Sequence, residues 1–421
     1  MKNNNVLKLM FWLFLSGMIL CGLIVLTNAR AQQNMCEVVM LCPYQQTAGA
    51  GGSSGSGGNS GKGGSGGTGG SAGTTTAAGT GGVSGTSSAG AGGSKAGTGG
   101  SAAAGTGGSS GAPGHAGTHG GTDVVGDLPV GDTGSSGFDI NRTGEMPSAA
   151  SDGVGAFRSV CQITKYAWDD PIVYPGKPGV AHLHMFWGNS AIDAFSTAQS
   201  LKTSGNGTCR GGIANRSSYW IPAVLSSEGR VLVPHEVHSY YKREYALGKS
   251  VPLQRIPPGL KIISGDMKAS STQNIQRYSY KCWNTYTGDF ATLTGPKCKS
   301  GDFLSVNVFF PQCWDGKNLD SADHKSHMTW PAGGTCPASH PVALPGLSSH
   351  ILYKAADVTA AGSNIHLSSD MYTVNGNGGY SLHADFFEAW DDDIAATFTK
   401  LCVNDNKDCK SHMIGDGRIM N

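Results

Sequence analysis

Imidazoles and carboxylates gather in three short patterns of this chain. The first is Ala181-His182-Leu183-His184. In an extended segment residues i and i+2 share a face, so these two rings can hold one metal ion or one anionic group between them. The second is Gly379-Tyr380-Ser381-Leu382-His383-Ala384-Asp385-Phe386, where His383 and Asp385 repeat the same spacing. A histidine beside a carboxylate can complete a metal site, or the acid can orient the ring for general-base work. The third runs from Cys313-Trp314-Asp315-Gly316-Lys317-Asn318-Leu319-Asp320 to Asp323-His324-Lys325-Ser326-His327-Met328. It follows an apolar segment and packs acids, histidines and lysines into a polar turn, the kind of strand-end loop on which sites are built.

Together these patterns nominate His182, His184, His327 and His383 as ligands of a divalent metal such as zinc. They nominate Asp323, His324 and Asp385 as acid/base groups. Imidazole and carboxylate donors suit zinc, and an ion with an open position activates water. Without a metal, the same groups supply an acid/base pair for a glycoside. Each pattern also has a plain structural reading: satisfied histidines on a half-exposed strand, and a solvated loop pinned by Cys313. Competing templates fail. Pro234-His235-Glu236-Val237-His238 is one residue short of the helical H-E-x-x-H of zinc proteases. No G-x-S-x-G stands at a strand-to-helix turn, so a serine hydrolase lacks support.

Short apolar and aromatic runs must position these groups. His182–Trp187, Tyr219–Leu225, Leu260–Ile263, Arg277–Trp283, Phe303–Phe310, His350–Tyr353 and Tyr380–Phe387 read as strands. So does the run 237–245. All are rich in β-branched and aromatic residues and bounded by Gly, Pro, Asn or Asp. Ala191 to about Leu201 and Asp391 to about Leu401 read as helices, the second with acids in its first turn. Many short strands without βα alternation predict a mainly β, sandwich-like single domain with a few short helices.

Composition sets the boundaries. Residues 1–31 read as a signal peptide or signal-anchor, with Lys2 and Lys8 before the apolar run Leu9–Thr27 and a small-x-small site at Ala29-Arg30-Ala31. Residues 32–47 form a short segment with Cys36 and Cys42. Residues 48–149 read as a disordered linker that cycles through Gly, Ser, Ala and Thr. Such a composition buries too little apolar surface to offset its conformational entropy. The globular domain is expected over 150–421, which holds seven of the eight tryptophans. Eight cysteines in that region, in an exported chain, read as disulfides. Cys402–Cys409, closing a polar loop, is the pair that spacing favours. The formal net charge of +1 and the lack of any Lys/Arg block exclude strong nucleic-acid binding. A membrane partner enters only through an uncleaved N-terminal anchor, and the location is extracellular or cell-surface.

Beyond these readings, the sequence resembles the DUF1996 family, a secreted domain of unknown function. The resemblance is carried by Phe157-Arg158, Cys161, Asp170-Pro171-Ile172-Val173, His182-Leu183-His184, Ser218-Tyr219-Trp220-Ile221-Pro222, Pro258-Gly259-Leu260, Phe310-Pro311, the whole 313–328 run, Cys336-Pro337, His340-Pro341 and His383-Ala384-Asp385-Phe386. It departs at Glu388-Ala389-Trp390, where a glycine before the tryptophan would be expected. The resemblance implies secretion and a shared fold but supplies no activity. Relatives joined to carbohydrate-binding modules point by analogy to polysaccharide or cell wall as partner. Two function classes follow. One is a metal-assisted or His/Asp-dependent polysaccharide-active enzyme. The other is a non-catalytic glycan-binding or structural surface module, for which convergence of the histidines in one place is the discriminating observation.

Overall fold

The computed structural model describes residues 124–421 apart from 245, 287 and 371–377. The N-terminal apolar run, the Cys36/Cys42 segment and the linker up to residue 123 lie outside the described residues. The architecture is mainly β, with a few short helices. Ten strands carry the two principal sheets. They are β1 (Ala156–Cys161), β2 (Ile163–Ala167), β3 (His184–Gly188), β4 (Ser218–Pro222), β5 (Glu236–Lys242), β6 (Lys261–Gly265), β7 (Tyr278–Cys282), β8 (Phe303–Phe309), β9 (Gly346–Lys354) and β10 (His383–Phe387).

One sheet has the order β2-β3-β4-β10-β6, with every neighbouring pair antiparallel. The other runs β7-β8-β9-β5-β1, continued by the two-residue strands Lys407–Asp408 and Ser148–Ala149. The chain crosses from the second sheet to the first between β1 and β2. The sheets pack face to face because each strand alternates its side chains between two faces. Met185, Trp187, Tyr219, Ile221, Ala384 and Phe386 of the first sheet share one buried cluster with Phe157, Val237, Tyr241, Val306, Ile351 and Tyr353 of the second. Polar tips buried in that seam find partners across it: Trp187 Nε1 donates to Ser239 Oγ at 3.2 Å, and the Tyr219 and Tyr241 hydroxyls bond each other. Burying each large apolar side chain stabilises the fold by about 1.5–3 kcal/mol.

The alternate residues of the first sheet point away from this seam. Phe186, Trp220, Ile263 and Phe387 build a second, smaller core there with Ile172, Ile192 and Leu201. These come from the turns after Asp170, from the helix Ala198–Thr203 and from the segment leading into it. That segment is mostly turn, so the helix starts later than its apolar pattern suggests. Thr197 caps it, its hydroxyl accepting from Ser200 N while Ser200 Oγ accepts from Thr197 N. The C-terminal helix, Asp392–Phe398, is capped by Asp391 and continues as a π-helical turn over Thr399–Asn404.

Packing reaches further towards the N-terminus than residue 150, where composition places the domain boundary. Ile140–Glu145 pairs antiparallel with Gly417–Met420, and Asp132 N donates to Ile163 O. Gly131 shows why a glycine-rich segment can do this. A Cβ there would lie 1.8 Å from Thr164 O, so only glycine allows the backbones to approach so closely. Composition cannot distinguish that use of glycine from a free coil.

Four disulfides tie the domain: Cys161–Cys209, Cys282–Cys298, Cys313–Cys336 and Cys402–Cys409, the last being the pair its spacing favours. They fit an oxidising environment. No helix among the described residues is long and apolar enough to cross a membrane.

Candidate metal centre

The outward face of the first sheet gathers the first two sequence patterns. Strand β3 begins at His184, with His182 just before it, and β10 begins at His383. Strand β4 lies between them, presenting Pro222 opposite His184. Above it the three rings converge, with centroid separations of 4.2 Å for His182–His184, 5.0 Å for His182–His383 and 5.7 Å for His184–His383. One ligand atom from each lies within 4.8 Å of the others. Asp385, two residues along β10, shares this face. Its carboxylate forms a second group with His184 and Asp170, again with donor atoms within 4.8 Å of one another. His184 therefore belongs to both groups.

The hydrogen bonds fix which nitrogen each ring offers. His184 Nδ1 contacts the carbonyl of Asp169 at 2.9 Å, and His383 Nδ1 contacts that of Ser381 at 2.8 Å. A carbonyl can only accept, so both Nδ1 atoms carry the proton and both Nε2 lone pairs face the cluster. The Nε2 atoms of His182, His184 and His383 are buried without a partner, as are both carboxylate oxygens of Asp385 and Oδ2 of Asp170. Asp170 Oδ1 is occupied locally, accepting from the backbone N–H of Ile172 and Val173. Six unpartnered donor atoms in one buried place are unusual, since buried polar atoms are normally hydrogen-bonded.

Burial disfavours charge throughout the cluster. It lowers His184 to about 4 and His383 to about 3, and holds His182 well below its ordinary range. The same desolvation raises Asp170 to about 6 and pushes Asp385 well up, with the nearby Asp170 carboxylate adding to the shift. Three neutral imidazoles facing two carboxylates make a set whose ionised charge of about −2 a divalent cation would balance. Asp170, His184, His383 and Asp385 are buried, and His182 alone reaches partway to solvent.

The third pattern docks beside this cluster and does not enter it. The 313–328 loop is tied to edge strand β6. Lys261 N donates to Leu319 O, and Lys325 Nζ donates to Gly265 O. His327 Nε2 donates to Lys261 O at 2.7 Å, and its Nδ1 bonds Ser321 Oγ at 2.9 Å. Both ring nitrogens are thus engaged with protein groups, which leaves His327 outside the ligand set where its sequence pattern had placed it. His324 pairs through Nδ1 with Asp320 at 2.9 Å, and Asp320 also takes an ion pair from Lys261 at 3.1 Å. His324 sits at φ 57°, a left-handed conformation uncommon for a non-glycine residue. It lies near enough to Asp170 to act on that carboxyl electrostatically. Asp323 is exposed. One of its oxygens accepts from Ser321 Oγ, Lys325 N, Ser326 N and Ser326 Oγ, and the Ser326 amide bond leads in holding its pKa far down. It organises the turn and stands outside the cluster.

Asp170 is the member that residue patterns missed. It stands in a loop, with no periodic partner, more than two hundred positions before Asp385. Its sequence signals are an acid placed to cap the turn that follows it and its place in the Asp170-Pro171-Ile172-Val173 stretch that carries the family resemblance.

A family model described as a domain of unknown function, DUF1996, matches residues 170–390. That is just over half of the chain and includes all five members of the cluster. No curated protein and no solved structure matches the chain.

Proposed function

The chain belongs to the DUF1996 family, and we propose that His182, His184 and His383, with Asp170, bind a divalent transition metal such as zinc, beside Asp385, in an extracellular enzyme that acts on polysaccharide. One observation carries the metal reading: six buried donor atoms converge without partners, while the remaining nitrogens of two of the rings are fixed by backbone carbonyls. An ion held there would supply Lewis acidity and an acidified water at any position left open. Asp385 is the base, because its oxygens have no partner and lie beside the His184 ligand atom. Asp170, held by Ile172 and Val173, is a fixed ligand or counter-charge. His324, oriented by Asp320, stands at the edge as a proton carrier for the leaving group. The polysaccharide substrate rests on the disulfide-bonded, exported character of the chain and on family analogy.

The test is elemental analysis of the purified full chain. About one equivalent of zinc or another transition metal, lost in His184→Ala with the fold intact by circular dichroism, supports the reading. No metal after reconstitution overturns it. A second reading is a non-catalytic surface module with a closed, structural ion. The burial of four of the five members favours it, because structural sites leave no position open. Release of reducing ends from polysaccharide by wild type, lost in Asp385→Asn that still binds metal, decides for the enzyme.

A further inference from the structure

The three histidines of the cluster hang from two separate stretches of backbone. His182 and His184 flank Leu183, whose carbonyl accepts from Ala223 N at 2.9 Å and from the Ser368 hydroxyl. Ser368 N donates in turn to Ala223 O at 2.9 Å, and His366–Leu367 pairs with Val224–Leu225. Residues 366–368 are thereby bonded to the backbone between the first two histidines. His383 depends on another stretch, because its Nδ1 donates to Ser381 O at 2.8 Å.

Asp370 joins the two stretches. It is buried, and its oxygens accept four hydrogen bonds. Oδ2 accepts from Leu367 N at 2.8 Å and Gly379 N at 2.6 Å, bridging the 366–368 stretch to the approach to His383. Oδ1 accepts from the Ser381 hydroxyl at 2.8 Å and from Ser381 N at 3.1 Å, gripping the residue whose carbonyl orients His383. Neighbouring bonds steady what lies on either side. Gln273 Nε2 donates to Tyr380 O at 2.7 Å and Leu382 O at 2.8 Å, and the Tyr280 hydroxyl donates to Gly379 O at 2.7 Å. The Ser369 and Ser381 hydroxyls also bond each other at 2.6 Å. Asp370 itself is not among the converging donor atoms of the cluster.

We propose, on the metal reading above, that Asp370 is a positioning residue of the metal centre. It sets the separation between the His182–His184 pair and His383, and it holds the Ser381 carbonyl that keeps the proton of His383 on Nδ1. A ring presents Nε2 to an ion only while the acceptor of its other nitrogen stays in place. Both edges of the carboxylate are needed for this. Asparagine at 370 offers one oxygen and one NH2 group, so it can accept along one edge only. With the NH2 group towards Leu367 and Gly379, the bridge between the two stretches opens. With it towards Ser381, the Ser381 N–H loses its acceptor and the carbonyl behind His383 moves.

Titration of the full chain with cobalt(II), followed by its visible d–d absorption, tests this role. Wild type is expected to bind about one equivalent. Asp370→Asn should bind about tenfold more weakly or worse, with a shifted d–d band because the ligand geometry has changed. Asp302→Asn is the matched control. Asp302 is also buried and accepts from Asn284 N, Thr285 N, the Thr285 hydroxyl and Phe303 N, beside the second sheet. Its loss should lower stability while leaving cobalt affinity and band as in wild type. If Asp370→Asn does not fold, Ser381→Ala, which deletes one of the four bonds, should weaken binding about threefold and shift the band. Affinity and band in Asp370→Asn equal to those in Asp302→Asn, or in its absence an unchanged Ser381→Ala, would overturn the positioning role and leave the metal reading standing. Weaker binding with an unshifted band would reduce Asp370 to a support of the fold and likewise overturn it. No cobalt bound by wild type would overturn the metal reading, and the positioning role with it.

Discussion

Removing zinc should lower the stability of this domain by an amount that depends on His184 and leaves His327 aside. A ligand that binds only the folded state stabilises it according to its concentration relative to Kd. At a thousandfold excess over Kd that is about 4.1 kcal/mol. A domain of this size shifts its melting temperature by about 2 °C per kcal/mol, so saturating zinc should raise Tm by roughly 8 °C over the chelated protein. His184 is shared by both donor groups, so His184→Ala should abolish that shift. His327 has both nitrogens bonded to protein groups. His327→Ala should therefore keep the full shift while lowering both curves, because losing the ring leaves Lys261 O unsatisfied at a cost of about 1–3 kcal/mol. Differential scanning calorimetry of the three proteins, with zinc and with chelator, measures this directly. An undiminished shift in His184→Ala, or a shift lost equally in His327→Ala, would refute the assignment of the ligands.

Three further outcomes follow from the packing. His350 is buried on the second sheet and held well below its ordinary range, mainly by desolvation. The unfolded chain takes up a proton below about pH 6.5 that the native state refuses, so stability is full above that pH and falls as pH drops. The loss approaches about 1.4 kcal/mol per pH unit, and urea unfolding of the chelated protein at pH 7 and pH 5 should show a shallower dependence in His350→Gln. Gly265 pairs with His383 at φ 89°, and a Cβ there would lie 2.4 Å from Leu382 O; Gly265→Ala should cost about 1–3 kcal/mol and reduce zinc occupancy, both read from one zinc-titrated melting series. Replacing Cys161 and Cys209, 48 residues apart, by serine should destabilise by about 4 kcal/mol, against about 2.5 kcal/mol for Cys402 and Cys409, 7 apart, because the longer loop restricts the unfolded chain more; denaturant titration ranks the two.

The sequence by itself determined what periodicity and composition encode. Alternation along 383–387 and from 182 to 184 put the chemistry-bearing residues on shared faces, because the side-chain period of a strand is two whatever the sheet around it. The tryptophan and cysteine distribution located a disulfide-bonded β domain. Tertiary structure decided everything that depends on which strands become neighbours. Only the order β3-β4-β10 brings His184 and His383 together over Pro222. Asp170 joins them because a turn held by its own Oδ1 aims its other oxygen inward, and no spacing in the chain announces that. His327 looked equal to the other histidines in sequence, yet docking of its loop on Lys261 uses up both of its nitrogens. The segment 124–149 read as a free coil by composition. Its glycines instead allow backbone to lie directly on backbone, a use of small residues that only the packed neighbour reveals.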